Sequence, residues 1–271
     1  MTGKNDGLEK RIEQMKFIDW FAGIGGFRRG MELAGHECVG FCEFDKYAVA
    51  SYTSMHLITD KQREHLATLD LKHRQKEILN EEYRNGEWFS DDIRTVDARS
   101  LPEADCWCFG FPCQDISICG KQLGFTGNRS SLFFRVMYLL GQLEEEKRPT
   151  FLFIENVKNL LSVNGGWDFA KLLIELDKVG YDAEWAILNS KDYGVPQNRE
   201  RLFIIGHYRE KRTGNVLCLK SGGAVHNKPD ENREDVHEIA LCLTAKGQSN
   251  WTGSFIVQEL PDENKTIGEH I

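Results

Sequence analysis

The stretch GFPCQDIS, residues 110–117, sets a thiol directly behind a proline at the end of an apolar run, Asp105-Cys106-Trp107-Cys108-Phe109-Gly110-Phe111. Proline cannot donate to a sheet ladder, so a strand is expected to stop at Pro112 and to carry Cys113 at its tip, with polar Gln114, Asp115 and Ser117 following. A thiolate is an intrinsically strong nucleophile whose reactivity is set by its surroundings. Forty-two residues later a second apolar run, Phe151-Leu152-Phe153-Ile154, ends in Glu155-Asn156-Val157, and a carboxylic acid there can supply or share a proton. A third polar cluster, Gln197-Asn198-Arg199-Glu200-Arg201, precedes the apolar run from Leu202 to Gly206. Its arginines can hydrogen-bond a carbonyl oxygen or a phosphate. A thiol, an acid and a guanidinium pair suit attack on an electron-poor ring, with neighbours stabilising the charge that develops.

These groups work together only if the chain brings several strand tips to one rim, and the pattern of the sequence provides for that. Apolar runs at 15–21, 38–42, 106–111, 151–154, 186–188 and 202–206 read as strands. Between them, 27–33, 46–55, 132–143 and 169–179 carry helical periodicity. Alternating strand and helix imply an α/β fold with a largely parallel sheet, whose ligands sit at the carboxyl ends of the strands. The first strand ends in Phe21-Ala22-Gly23-Ile24-Gly25-Gly26-Phe27. Glycine permits positive φ and close approach of backbone to a ligand. Glu43, about twenty residues on, is placed to accept from a ribose, and Asp91-Asp92-Ile93 stands where a third strand should end, with a carboxylate available to an adenine amino group. A nucleoside-containing cofactor is the expectation.

Composition narrows the class. The chain has 271 residues, 41% hydrophobic and 28% charged, as an ordinary soluble globular protein has. No apolar stretch approaches the roughly 20 residues that span a bilayer, so no membrane partner is expected. The polar N-terminus has the form of neither a signal nor a transit peptide, which makes the cytoplasm the expected compartment. Eight cysteines include no Cys-x-x-Cys pair and the eight histidines show no zinc-like spacing, so no metal is expected and most thiols read as small buried hydrophobes. The net charge of −8 argues weakly against a nucleic-acid partner. Residues 229–271 carry −6 of it, however, which leaves about −2 over the first 228 residues and room for a local basic channel. Residues 60–83 are highly charged and read as an exposed helical insertion.

Cytosine is an electron-poor ring of the required kind. Thiolate addition at C6 makes C5 nucleophilic enough to take a methyl group, with Glu155 assisting at N3. FAGIGGF, GFPCQDIS, ENV and QNRER, in that order, together with KQLGFTGNRSSLFF (121–134) and DYGVPQNRERLFIIG (192–206), resemble the successive motifs of the DNA cytosine-5 methyltransferases, bacterial and phage restriction-modification type. The resemblance covers roughly residues 15–208. It implies a seven-stranded Rossmann-like sheet with one antiparallel strand and helices on both faces, S-adenosylmethionine as methyl donor and S-adenosylhomocysteine as product. It implies Cys113 as nucleophile, Glu155 as the acid at N3, Arg201 on the cytosine carbonyl and Arg199 supporting the site or a phosphate. Phe21 would stack near the adenine, Ala22, Gly23, Ile24, Gly25 and Gly26 would approach the methionine part, and Glu43 would hold the ribose. Phe44, Asp92 and Ile93 would flank the adenine, and Pro112 and Leu132 would line the pocket. Gln114, Ser117, Arg129 and Gln197 would face duplex DNA, with the target base flipped out of the stack. Two departures from the family pattern stand out: Asp91 where a glycine is common, and Phe44 where a tryptophan often packs.

The resemblance also divides the chain: an N-terminal extension (1–14), a catalytic domain (15–208) with a charged insertion at about 57–89, and a short remnant of a target-recognition region with an acidic tail (209–271). The family's last two motifs have no counterpart after His207, which suggests a split enzyme whose second polypeptide supplies recognition, or else a truncated chain. On the split reading the chain alone should bind DNA weakly and without sequence preference. The alternatives are a tRNA cytosine-5 methyltransferase, which only the nucleic acid accepted would separate, and a non-catalytic regulatory homologue, disfavoured by the presence of Cys113, Glu155, Arg199 and Arg201. A nicotinamide oxidoreductase is opposed by the glycine spacing and the Pro-Cys pair.

Overall fold

The structure is a computed structural model that describes residues 14–112 and 132–211, residues 213 and 216, and the short stretches 222–225, 239–240 and 256–257. A mixed, mostly parallel sheet of eight strands, flanked by helices on both faces, hydrogen-bonds in the order β3-β2-β1-β4-β5-β7-β6-β8. The strands are β1 Lys16–Trp20, β2 Glu37–Cys42, β3 Trp88–Ser90, β4 Cys106–Gly110, β5 Phe151–Val157, β6 Tyr181–Asn189, β7 Glu200–Tyr208 and β8 Gly222–Val225. The chain divides into two compact units, residues 1–110 with 142–152, and residues 111–141 with 153–271.

In the first unit β1 pairs in parallel with β2 and β4, and β2 in parallel with β3. Strands buried on both faces read as near-continuous apolar runs. Phe17, Ile18, Trp20, Cys108 and Phe109 are accordingly fully buried, and the Trp20 ring meets Trp107 and Trp88 edge-on at 5.1 and 5.8 Å. Helices α1 (Gly26–Leu33) and α2 (Lys46–Tyr52) follow β1 and β2, the second capped by the Asp45 carboxylate on the N–H groups of Tyr47 and Ala48. One polar cluster lies beneath them. The Arg28 guanidinium donates to Glu87 at 2.7 Å and to the Tyr52 hydroxyl at 3.3 Å, and the Arg28 N–H donates to buried Asp19. Burial holds the Asp19 carboxyl well above the usual carboxylate range.

The charged insertion is helical and consists of two short helices. A capping box between Thr59 and Gln62 opens α3 (Asp60–Thr68), extended Leu69 ends it, and Asp70 caps α4 (Leu71–Glu77). Leu66, Ile78 and Tyr83 are buried together, with Ala50, Ile58, Leu69 and Leu79 packed against them, so the segment has a small core and is not solvated all round as its charge suggested. Three apolar positions among many charges are too few to show as a period, yet they suffice to fasten a short insertion.

The thiols of Cys38, Cys42, Cys106 and Cys108 are free and buried, as their composition suggested. Burial pushes Cys38 and Cys42 up to about 12 and holds Cys108 well above its ordinary value. Raised acid values mean neutral thiols in the native state at pH 8, and their contribution to stability is lost only as pH rises from about 9 toward about 12. Mass-spectrometric mapping after native alkylation at pH 8 should find these four unmodified. Labelling of Cys38 or Cys42 faster than global unfolding would contradict the burial.

In the second unit β6 and β7 form a nine-residue antiparallel ladder from Tyr181↔Tyr208 to Asn189↔Glu200, longer than the short apolar runs implied. Helices α5 (Leu132–Gln142) and α6 (Trp167–Lys178) bury the apolar faces read from their periodicity, among them Phe133, Val136, Leu140, Phe169, Leu172 and Leu176. β8 adds antiparallel to β6, a strand more than the seven the resemblance implies. A two-residue antiparallel pair, β9 (Ile239–Ala240) with β10 (Ile256–Val257), lies outside the sheet.

Candidate active site

The glycine loop of the first unit is built on left-handed backbone. Phe21, Gly23 and Gly25 have φ of 53°, 55° and 88°. A bulky non-glycine residue in that region is strained and persists where its surroundings over-determine it. Here the Ala22 N–H donates to the Cys42 carbonyl at 3.0 Å and the Gly25 N–H to the Ala22 carbonyl at 2.8 Å. Glu43 fastens the loop from the end of β2: Oε2 accepts from the Gly23 N–H and Oε1 from the Asp45 N–H, both at 2.8 Å. Each carboxylate oxygen keeps capacity for a further donor, such as a ribose hydroxyl. Ile24 and Gly26 are exposed and Phe21 half-buried, so the loop has an open side.

Beyond β3, Ile93 is buried and Asp92 is half-buried, while Phe44 is 73% exposed. Arg94, which the sequence reading did not single out, joins two of them. Its guanidinium clamps the Asp92 carboxylate at 2.8 and 2.7 Å and lies 5.7 Å from the centre of the Phe44 ring. An adenine amino group approaching Asp92 must therefore displace an arginine contact. The exchange costs little, since solvent screens so exposed a pair. The signal was Asp-x-Arg spacing, which recurs at Asp97 and Arg99 with the same geometry and so marks a local turn rather than a ligand. The glycine backbone, Glu43 and Asp92 together fit a nucleoside-bearing, cationic methyl donor.

The second unit carries the acid and the arginines. Glu155 and Asn156 lie near the end of β5, which runs on to Val157, three residues beyond the apolar run alone. The Glu155 carboxylate pairs with Arg201 Nε at 2.8 Å, both side chains being only partly exposed. Asn156 is buried, and its Nδ2 donates to the Phe111 carbonyl at 2.9 Å. The carboxamide thus pins the backbone that leads into exposed Pro112. Cys113, Gln114, Ser117 and Arg129 lie outside the described residues. Leu132, at the start of α5, is half-buried.

The loop between β6 and β7 is held in shape locally. Asn189 Oδ1 accepts from the N–H groups of Lys191 and Arg199, Asn189 Nδ2 donates to Asn198 at 2.6 Å, and the Ser190 hydroxyl donates to the Gln197 carbonyl. Gln197 and Arg199 are exposed, whereas Arg201 turns in to Glu155 and also donates to the Glu200 carbonyl at 2.8 Å. Arg199 precedes β7 and Arg201 is its second residue, so the two arginines differ in environment although they stand two residues apart. Among the described residues no group of His, Cys, Asp or Glu could hold a metal ion, and no helix is long and apolar enough to cross a membrane.

The chain is 36% identical over 197 residues to the type II methyltransferase M.HhaI of Haemophilus parahaemolyticus, covering 73% of this chain and 50% of that protein. It is 34% identical over 195 residues to the orphan methyltransferase M.SPRI of Bacillus phage SPR, covering 71% and 38%. Among solved structures, the Dnmt2 methyltransferase of S. pombe superposes with a TM-score of 0.52 at 18% identity, covering 74% of this chain and 53% of that one, which shows a shared fold. The chain spans about half the length of the curated relatives it matches. The family model for C-5 cytosine-specific DNA methylase matches residues 15–78 and 58–268, so the chain belongs to the C-5 cytosine-specific DNA methylases.

Proposed function

We propose that the chain carries the catalytic part of a DNA cytosine-5 methyltransferase. The observation that carries the reading is the tip of β5, where Glu155 engages Arg201 and Asn156 holds the backbone running into Pro112-Cys113. When bound, S-adenosylmethionine supplies an electrophilic methyl group. Phe21, the backbone of Ala22 to Gly26, Glu43, Phe44, Asp92 and Ile93 hold it, with Pro112 and Leu132 as further walls. Cys113 Sγ adds to C6 of a cytosine flipped out of the duplex, since C5 and C6 cannot be reached within the stack. Glu155 donates at N3, which lets the electron pair from the broken C5–C6 double bond be carried at C5. Arg201 stays beside Glu155 and donates to the ring carbonyl, and exposed Arg199 meets a phosphate. Once the methyl is in place and the demethylated donor has left, loss of the C5 proton to solvent water drives out Sγ, the N3 proton returns to Glu155, and the ring double bond and the thiolate are restored. Gln114, Ser117, Arg129 and Gln197 contact the duplex.

The test is methyl transfer from labelled S-adenosylmethionine to mixed-sequence duplex DNA, with digestion to nucleosides. The expected product is 5-methylcytosine. Transfer to tRNA but not duplex DNA would replace the substrate while leaving the chemistry. Activity that appears only when a second polypeptide is added would assign target recognition to that partner. Cofactor binding without transfer under any of these conditions would sink the catalytic reading.

A further inference from the structure

The glycine loop is braced by a residue that none of its sequence motifs contains. Helix α2 does not end as an α-helix: Thr53–Leu57 form a π turn, with the Ile58 N–H donating to the Thr53 carbonyl at 3.2 Å. Such single wide turns insert one residue into a helix and are frequent at functional sites. The side chain this turn presents to the loop is His56, whose Nε2 lies 3.0 Å from the Ile24 carbonyl oxygen. A carbonyl only accepts, so Nε2 carries the proton. The imidazole packs edge-on against Tyr52 at 5.0 Å, and Tyr52 is fully buried with its hydroxyl on Arg28. A Cβ on Gly25 would meet His56 Cδ2 at 2.8 Å and Tyr52 Cε2 at 3.0 Å. The brace therefore requires glycine at 25, as does the φ of +88° there.

The contact matters because of which peptide it touches. The Ile24 carbonyl and the Gly25 N–H belong to one planar unit. The N–H donates to Ala22 at 2.8 Å and the carbonyl accepts from His56, so both ends of that plane are held. With the histidine contact gone, a glycine on its C-terminal side lets the plane rotate at little steric cost. A loop that spends part of its time rotated binds its ligand more weakly by that fraction.

We propose that His56 is a positioning residue for the methyl-donor site, acting through the Ile24 carbonyl to keep the glycine loop in its binding form. The inference rests on reading that loop as the cofactor site. Calorimetric titration of the full chain with S-adenosylhomocysteine and S-adenosylmethionine tests it. His56→Leu, which keeps the bulk and removes the donor, should weaken both ligands about five- to tenfold, the scale of one net hydrogen bond. His56→Gln, which retains an N–H at similar reach, should recover most of the loss, which a purely space-filling role would not produce. If the leucine variant does not fold, His56→Asn, too short to reach the carbonyl, should show the same weakening. Binding by His56→Leu, or by His56→Asn in its place, within twofold of the unaltered chain overturns the proposal and leaves the cofactor site standing. Failure of the unaltered chain to bind either ligand overturns the cofactor reading and the proposal with it.

Discussion

Methyl transfer by a Cys113→Ala variant should fall by at least about 10⁴-fold, the scale on which an enzyme loses its nucleophile. Affinity for the methyl donor should not change. No other described thiol can take over. Cys38, Cys42, Cys106 and Cys108 are buried, and burial disfavours the thiolate at Cys38, Cys42 and Cys108. Asn156 fixes the Phe111 carbonyl, two residues before Cys113, so the strand end is held from β5 whatever side chain stands at 113. The loss should therefore be chemical rather than structural. A second readout checks the same step as a single trapped turnover. In the presence of S-adenosylmethionine, duplex DNA carrying 5-fluorocytosine should form an adduct with the unaltered chain that resists denaturation, because once the methyl is on C5 the fluorine cannot leave as the proton does. The alanine variant should form none. An adduct that maps to another cysteine, or residual transfer above a few per cent, would refute the assignment.

The parts of the fold that were legible in the sequence are those with a strong period or a constrained backbone. Phe17, Ile18 and Trp20, or Phe169, Leu172 and Leu176, announce their elements by spacing alone, and the glycines of residues 23–26 announce a turn that needs positive φ. Glu155 and Asn156 were legible as strand-end residues because the apolar run from Phe151 to Ile154 passes there into polar positions. What stayed hidden depends on partners distant in sequence. Nothing local told that Glu155 and Arg201, 46 residues apart, would pair, or that Asn156 would reach back 45 residues to Phe111. His56 stands between Met55 and Leu57 with no motif around it, and its role arises from one π turn that no periodicity reports. Asp-x-Arg is common surface chemistry, so the spacing of Asp92 and Arg94 carries no signal of its own. The small core of the insertion was masked by the charges around Leu66, Ile78 and Tyr83.

Glu155→Gln is expected to lower methyl transfer by about 10²- to 10⁴-fold, the range spanned by a positioned proton donor. The carboxamide preserves size and can still donate a hydrogen bond to N3. It cannot deliver a proton, so the loss measures proton transfer and not contact. Arg201→Met removes the guanidinium that now sits 2.8 Å from the Glu155 carboxylate and leaves that partly buried group without its partner. It should cost a comparable factor, because the carboxylate then loses its orientation while the cytosine carbonyl loses a donor. Groups that act as one unit are not additive. The double variant should consequently be little worse than the poorer single one, instead of showing the product of the two losses. Both residues stand in the second compact unit, whereas the glycine loop and Glu43 belong to the first. Donor affinity measured by calorimetry should accordingly stay within twofold in all three variants. Full additivity of the two losses would mean that Glu155 and Arg201 serve separate steps, and a matching collapse of donor binding would mean that the pair supports the fold and not the chemistry.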